Sequence, residues 1–207
     1  MQPLETRKDY TKGSLELSDL LENPFLQLEQ WLEHATEAGI HEPNAMCIST
    51  VCSSRPSSRM VLLRAIDSGL VFYTNYLSRK GRDIASNSYG CANFWWGALE
   101  RQVRIEGRLE KVSAVQSDQY FASRPLESRY ASAASPQSQP ITRPELEQMV
   151  QDLRQRYPDA VPRPEHWGGF RLIPDCFEFW QGRSARLHDR IVYRLENAVW
   201  QRERLAP

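Results

Sequence analysis

The sequence predicts a mainly β chain of the α+β class, built as a small barrel with packed helices. Three observations carry this. About seven or eight short apolar, partly β-branched runs are separated by turn signals. Strand follows strand with no long helix between, which disfavours a doubly wound parallel sheet. The helical patterns are few, and each opens on its own start signal.

In chain order, residues 1–22 are polar and aperiodic, and read as an N-terminal arm that stays mobile until something binds. Residues 23–207 read as a single domain. Asn23-Pro24 supplies an N-cap and a proline at the first helical position; Phe25, Leu28, Trp31, Leu32 and Ala35 follow at helical spacing, and Gly39 suits the stop. Ala45–Val51 is the first strand. Arg59–Ile66 is the second, and the turn Asp67-Ser68-Gly69 joins it to Leu70–Thr74 as a hairpin. Cys91–Trp96 and Gln102–Val112 are further strands. In the latter, Val103, Ile105 and Leu109 fall on the face opposite Arg104, Glu106 and Glu110.

Ser113 with Gln116 forms a capping box for a helix ending near Arg124-Pro125. Residues 128–140, small and polar with Pro136 and Pro140, read as a loop. Thr142 with Glu145 caps another helix whose stripe is Leu146, Met149, Val150 and Leu153. A proline-rich linker (Pro158, Pro162, Pro164) leads to the last strands: Gly169–Ile173, Phe177–Gln181, Ile191–Leu195 and Val199–Leu205.

Composition narrows the function. Lys plus Arg and Asp plus Glu both total 26, so the net charge is zero and non-specific nucleic-acid binding is not expected. No run approaches ~18 apolar residues, so no membrane-spanning helix is expected. The start lacks the layout of a secretory signal, and the cytoplasm is the expected location. Cys47, Cys52, Cys91 and Cys176 form no CxxC pair and no zinc pattern; Cys47, in an apolar run, reads as a buried structural thiol. His34, His41 and His166 stand isolated and read as surface or packing residues. Glycine-rich dinucleotide and P-loop motifs, HExxH and GxSxG are absent from the sequence.

Phosphate can also be held by Arg, Lys and hydroxyl groups. Three stretches have that mix: Arg59-Met60-Val61-Leu62-Leu63-Arg64; Tyr73-Thr74-Asn75 with Ser78-Arg79-Lys80; and Tyr120-Phe121-Ala122-Ser123-Arg124 onward to Ser128. Singly, each cation also fits a solvated charge at a strand end. The first stretch stands out, because an arginine inside an apolar run is costly to bury without an anion. A fourth stretch, residues 177–190, combines Trp180, Arg183, Arg186, His188 and Arg190. It reads equally as a core tryptophan with a charged turn, or as a ring platform with cations able to stabilise developing charge.

Together these stretches resemble the pyridoxamine 5′-phosphate oxidase family. The shared signatures run in order along nearly the whole chain: Arg-Lys-Asp-Tyr-Thr-Lys-Gly (7–13), Arg-Met-Val-Leu-Leu-Arg (59–64), Val-Phe-Tyr-Thr-Asn (71–75), Ser-Arg-Lys (78–80) and Glu-Arg-Gln-Val (100–103). Tyr-Phe-Ala-Ser-Arg-Pro (120–125), Ser-Pro-Gln-Ser (135–138), Trp-Gly-Gly-Phe (167–170), Glu-Phe-Trp-Gln-Gly (178–182), Arg-Leu-His-Asp-Arg (186–190) and Arg-Leu-Ala-Pro (204–207) complete the set.

The resemblance implies an FMN-binding split β-barrel that forms a homodimer, with two FMN molecules at the subunit interface. The implied activity oxidises pyridoxamine 5′-phosphate and pyridoxine 5′-phosphate to pyridoxal 5′-phosphate, with O2 as acceptor and H2O2 released. It implies FMN contacts from Arg59, Met60, Val61, Leu62, Leu63 and Arg64. Further FMN contacts are Tyr73, Thr74, Arg79, Lys80 and Gln102, then Gln137, Ser138, Trp180 and Arg190. The substrate phosphate would meet Arg64, Tyr120, Arg124 and Ser128. Arg186 and His188 would face the pyridine ring and its C4′ carbon, Arg186 stabilising charge and His188 positioning. Arg7 and Tyr10 would close over the substrate. No metal is implied.

Two departures stand out. Arg64 replaces the family's usual lysine, keeping the charge and changing its geometry. The loop before Gln137-Ser138 often carries a tryptophan in the family, and here reads Tyr130-Ala131-Ser132-Ala133-Ala134, which implies looser packing. Two other readings remain. One is a related flavin oxidase acting on a phenazine-type ring, for which the phosphate set Tyr120, Arg124 and Ser128 has no use. The other is a non-catalytic split-barrel protein that binds flavin or pyridoxal phosphate, for which Arg186 and His188 have none.

Overall fold

The computed structural model describes residues 9–207. Among the described residues, five α-helices and nine strands give a mixed α+β fold with an antiparallel sheet. The helices are α1 (Pro24–Glu37), α2 (Arg79–Ser86), α3 (Ala114–Ser123), α4 (Leu126–Ala134) and α5 (Arg143–Arg156). The strands are β1 (Ala45–Cys52), β2 (Arg55–Leu62), β3 (Ala65–Ile66), β4 (Leu70–Asn75) and β5 (Tyr89–Trp96), followed by β6 (Arg101–Lys111), β7 (Trp167–Gln181), β8 (Asp189–Glu196) and β9 (Val199–Leu205). Hydrogen bonding orders the strands β2-β1-β5-β6-β7-β4-β3, with β8 on β7 and β9 on β8.

The chain forms two compact units. One comprises residues 9–47, Cys91–Gly107 and Pro174–Pro207; the other comprises Ile48–Gly90 and Arg108–Ile173. In the first, the apolar stripe of α1 explains its packing: Leu28, Trp31 and Ala35 are buried. The Trp31 ring meets Phe179 edge-on at 5.1 Å, and Phe179 meets Tyr193 at 5.5 Å. The alternation expected for β6 appears as buried Val103 and Ile105 between half-buried Gln102, Arg104 and Glu106. In this unit the C-terminal part of β7 pairs with β8, Trp180 opposite Arg190 and Gln181 opposite Asp189. Residues 9–22 join the same unit: Leu15 and Leu20 are buried, and the Tyr193 hydroxyl donates to the Leu21 carbonyl at 2.7 Å.

In the second unit, β4 pairs with β3 and with the N-terminal part of β7, Tyr73 opposite Gly169. Phe121, Tyr130, Val161 and Trp167 form a cluster beneath α3 and α4.

Local signals placed several elements within a residue or two. Asn23 accepts from the Phe25 N–H, Ser113 from the Gln116 N–H, and Thr142 with Glu145 forms the full capping box. Elsewhere the structure corrects the sequence. The run at 59–66 is two strands, because β2 begins at Arg55 and stops at Leu62 before β3 begins. The loop expected over 128–140 is helical through Ala134, as part of α4. Tyr130 and Ala134 are buried, and the Tyr130 hydroxyl donates to the Pro158 carbonyl at 3.2 Å. The segments 169–173 and 177–181 are one strand, carried through Pro174, which forgoes a ladder donor while staying extended. Cys47 is half-buried rather than buried, and all four cysteines are free.

Helix α2 had no counterpart in the sequence reading. Ser78 caps it, accepting from the Gly81 N–H. A Cβ at Gly81 would lie 2.0 Å from the Tyr76 carbonyl oxygen, so the first turn of α2 requires glycine there. Gly81→Ala is expected to lower stability by about 1–3 kcal/mol through forced backbone displacement, and to weaken anion binding by the adjacent Arg79 and Lys80. Thermal melts and an FMN titration of the variant check this.

Candidate active site

The second unit holds a cleft of about 790 Å³, within the range of about 300–1,000 Å³ usual for small-molecule sites. Five cationic side chains line it: Arg59, Arg64, Arg79, Lys80 and Arg124. Among the described residues no carboxylate lines it. At one end, β2 carries Arg59, β4 carries Thr74, and the first turn of α2 carries Arg79 and Lys80.

Lys80 is buried, and its Nζ donates to three neutral oxygens: Thr74 Oγ1 at 2.7 Å, Gln137 Oε1 at 3.0 Å and Ser78 Oγ at 3.2 Å. Burial, with the Arg59 charge adding to it, brings the Lys80 ammonium down to about 8. Arg59 donates to Thr50 Oγ1 at 2.8 Å and to the Ile48 carbonyl at 3.1 Å, and lies 3.8 Å from Asp83 Oδ2. Asp83 also accepts from the Thr50 and Ser57 hydroxyls, both at 2.8 Å. Although burial opposes it, these hydroxyls and the Arg59 charge hold Asp83 below its ordinary value.

At the other end the rings of Tyr73 and Tyr120 stack at 3.8 Å, and Trp167 lies parallel to Tyr120 at 6.2 Å. Guanidinium groups rest on this stack: Arg124 is 5.0 Å from the Trp167 ring centre and Arg64 is 5.9 Å from that of Tyr120. Arg124 Nη1 also donates to Ser132 Oγ at 2.7 Å. Burial lowers the Arg124 pKa, with Tyr120 opposing and the Arg64 charge adding to the shift. Ser128 lines the cleft beside them.

A second cluster belongs to the first unit. Trp180 is surrounded by Tyr10 at 5.7 Å, His188 at 4.7 Å and Trp95 at 5.9 Å, and Tyr10 meets His188 at 5.6 Å. Glu178, buried, clamps Arg190 through Nε at 2.8 Å and Nη2 at 3.0 Å, and takes a third bond from Arg104 Nη2 at 2.7 Å. The hydrogen bonds that Arg190 donates to Glu178 raise the Arg190 pKa. Gln102 sits half-buried on β6, on the face it shares with Arg104.

Arg186 is exposed at a tight turn, where Ala185 (φ 54°) and Arg186 (φ 61°) are consecutive left-handed residues. Each costs about 1–2 kcal/mol without glycine. The next residues anchor the turn: His188 Nδ1 accepts from the Arg183 N–H at 3.1 Å. Asp189 accepts from Arg204 Nη1 at 2.6 Å, the Leu15 N–H at 3.0 Å and Arg183 Nη1 at 3.1 Å.

Most of the sequence-derived site residues therefore gather in two places. Arg59, Met60, Val61, Leu62, Arg64, Tyr73, Thr74, Arg79, Lys80, Tyr120, Arg124, Ser128, Gln137 and Ser138 line the cleft. Leu63 is buried beside it. Tyr10, Gln102, Trp180, Arg186, His188 and Arg190 belong to the first unit, and Arg7 lies outside the described residues. The sequence reading assigned no role to Asp83, Glu178, Asp189 or Trp167. The last three sit inside the family-like strings, whereas Asp83 has only its place four residues after Arg79 as a signal.

A buried ammonium with only neutral partners, in a cleft of five cations, fits a group bearing a phosphate; the neighbouring aromatic and apolar surface fits a ring. FMN has both features.

Comparison with known proteins agrees with this chemistry. Residues 32–157 match the family model described as pyridoxamine 5′-phosphate oxidase. Residues 167–207 match that of the pyridoxine 5′-phosphate oxidase C-terminal dimerisation region. The chain is 51% identical to the pyridoxine/pyridoxamine 5′-phosphate oxidase of Paraburkholderia phytofirmans over 208 residues, 98% of each chain. It is 50% identical to that of Bordetella petrii over 100% of each chain. Among solved structures, PhzG from Burkholderia lata, in complex with tetrahydrophenazine-1-carboxylic acid, is 30% identical with a TM-score of 0.87, covering 94% of this chain and 100% of that one. A pyridoxamine 5′-phosphate oxidase-related, FMN-binding protein from Nostoc punctiforme has a TM-score of 0.73 at 15% identity, covering 91% of this chain and 100% of that one; this likeness shows the split-barrel fold alone.

Proposed function

Because the chain belongs to the pyridoxamine 5′-phosphate oxidase family, we propose that it is an FMN-dependent oxidase converting pyridoxamine 5′-phosphate and pyridoxine 5′-phosphate to pyridoxal 5′-phosphate, with O2 as acceptor and H2O2 as co-product. The observation that carries this reading is the cleft, lined by no carboxylate among the described residues, whose five cations form two groups, one around Lys80 and one around Arg124. Two phosphorylated molecules, cofactor and substrate, match two such groups.

When bound, FMN would supply the two-electron acceptor for oxidation at C4′, with O2 as the final acceptor. The chain supplies binding, orientation and charge. Arg59, Arg79 and Lys80 would hold the FMN phosphate, with Thr74, Gln137 and Ser138 as neutral partners. Gln102 would offer a donor and an acceptor to the flavin edge, and Trp180 and Arg190 would contact the cofactor. Arg64, Tyr120, Arg124 and Ser128 hold the substrate phosphate, anchoring the ring so that the C4′ carbon is correctly placed. Arg186 stabilises charge near that carbon, His188 positions, and Arg7 and Tyr10 cover the substrate. The working form is a homodimer, consistent with the match of residues 167–207 to a dimerisation region.

The likeness to PhzG supports a second reading, oxidation of a phenazine-type ring. The relatives at about half identity and the Arg124 group favour the phosphorylated vitamers. The purified protein is expected to be yellow and to bleach on anaerobic addition of pyridoxine 5′-phosphate, with peroxide formed on readmitting air. Turnover of a tricyclic carboxylate with none of pyridoxine 5′-phosphate would select the second reading. A yellow protein that neither bleaches nor releases peroxide with either substrate would be a binder rather than an oxidase.

A further inference from the structure

The turn that presents Arg186 is strained, and something must hold it. Its two left-handed residues, Ala185 and Arg186, lie between Arg183 and His188. Within the turn, the Leu187 N–H donates to the Ser184 carbonyl at 3.1 Å. The ends are tied by the side chain of His188, whose Nδ1 accepts the backbone N–H of Arg183 at 3.1 Å. The Arg183 side chain is tied separately, by Nη1 to Asp189 Oδ2 at 3.1 Å.

An imidazole nitrogen that accepts an N–H bond carries no proton, so the ring proton belongs on Nε2 and Nδ1 is committed to the backbone. The ring itself is fixed against Trp180 and Tyr10. We propose that His188 is a positioning residue: its Nδ1 clamps the Arg183 N–H, closes the left-handed turn, and so acts on the substrate through Arg186. This rests on the reading above, in which Arg186 meets the substrate; the clamp itself does not depend on it.

Two replacements separate the clamp from the imidazole. In His188→Asn the amide oxygen takes the place of Nδ1 and can accept the same N–H. In His188→Gln the amide reaches the place of Nε2 and leaves the N–H without its acceptor. Hydrogen exchange in the FMN-loaded full-length protein is expected to show the Arg183 amide protected in wild type and His188→Asn, and exchanging about tenfold faster in His188→Gln.

With pyridoxine 5′-phosphate, kcat is expected to fall less in His188→Asn than in His188→Gln. Adding His188→Gln to Arg186→Ala is expected to cost nothing further, since the two act as one unit. Ala185→Gly, which makes the left-handed backbone accessible, is expected to restore part of the kcat lost in His188→Gln. Equal kcat loss in the Asn and Gln variants with unchanged Arg183 exchange would overturn the proposal, as would additive losses in the double variant. A wild-type holoenzyme inactive on pyridoxine 5′-phosphate would remove the substrate assignment, while the exchange comparison would still decide the clamp.

Discussion

Lys80→Met is expected to weaken FMN binding by about a hundredfold, corresponding to about 3 kcal/mol for a charge-assisted bond to phosphate. The reasoning starts from the three neutral oxygens around Nζ. They satisfy the donors of the ammonium but do not neutralise it, and burial together with Arg59 brings its pKa to about 8. In the unfolded chain the lysine titrates near its ordinary 10.5, so between about pH 8 and 10.5 the unfolded state binds more protons. The contribution of Lys80 to ligand-free stability is therefore least favourable below pH 8 and improves as pH rises through that window. Anion binding runs the other way. Above about pH 8 the cleft must take up a proton to hold phosphate, and affinity falls by up to about tenfold per pH unit. In the methionine variant both dependences flatten, and the ligand-free protein melts higher because the desolvated charge is gone. Flavin fluorescence titrations and thermal melts from pH 6 to 10 read all of this; an unaltered FMN affinity in the variant would remove Lys80 from the cofactor site.

Arg124→Ala is expected to raise KM for pyridoxine 5′-phosphate about a hundredfold while FMN stays bound. Arg124 is held over Trp167 and bonded to Ser132, so its orientation is set before any ligand arrives. Burial and the nearby Arg64 charge both disfavour its charged state, a cost that an incoming phosphate relieves. Arg124→Lys keeps the charge but loses the planar fork, and is expected to recover only part of the affinity. Unphosphorylated pyridoxine, lacking the anion, is expected to respond little to either change. Steady-state kinetics on the two substrates decide the matter, and a KM unchanged in the alanine variant would take Arg124 out of the phosphate site.

What could be read from the sequence was what local chemistry determines. Asn23-Pro24, the box of Thr142 and Glu145, and the alternation of Val103 and Ile105 each specify their element through neighbours a few residues away. Helix α4 could not be read this way. Its residues are small and polar, and it is anchored by Tyr130 reaching Phe121, Val161 and Trp167. Helix α2 has few buried apolar residues and depends on a serine cap and one glycine.

The site divides in the same manner. Its cations were legible because they fall in ordered, family-like strings. The acids that orient them were not: Glu178 clamps Arg190 from 12 residues away, and Asp83 lies beside Arg59 from 24. No short-range spacing encodes such pairs. Trp167 was visible as part of a motif, but its place under Arg124, which follows α3, is set by tertiary packing.

A cleft lined by five cations and, among the described residues, by no carboxylate would also affect how the protein behaves on the bench. A surface of this kind works as a small anion exchanger, drawing in whichever multivalent oxyanion is most abundant. Sulfate or inorganic phosphate carried over from a purification buffer would compete with any phosphorylated ligand for the same guanidinium forks. Preparations exchanged into chloride or acetate would report truer affinities, and cofactor-depleted material would keep best in phosphate.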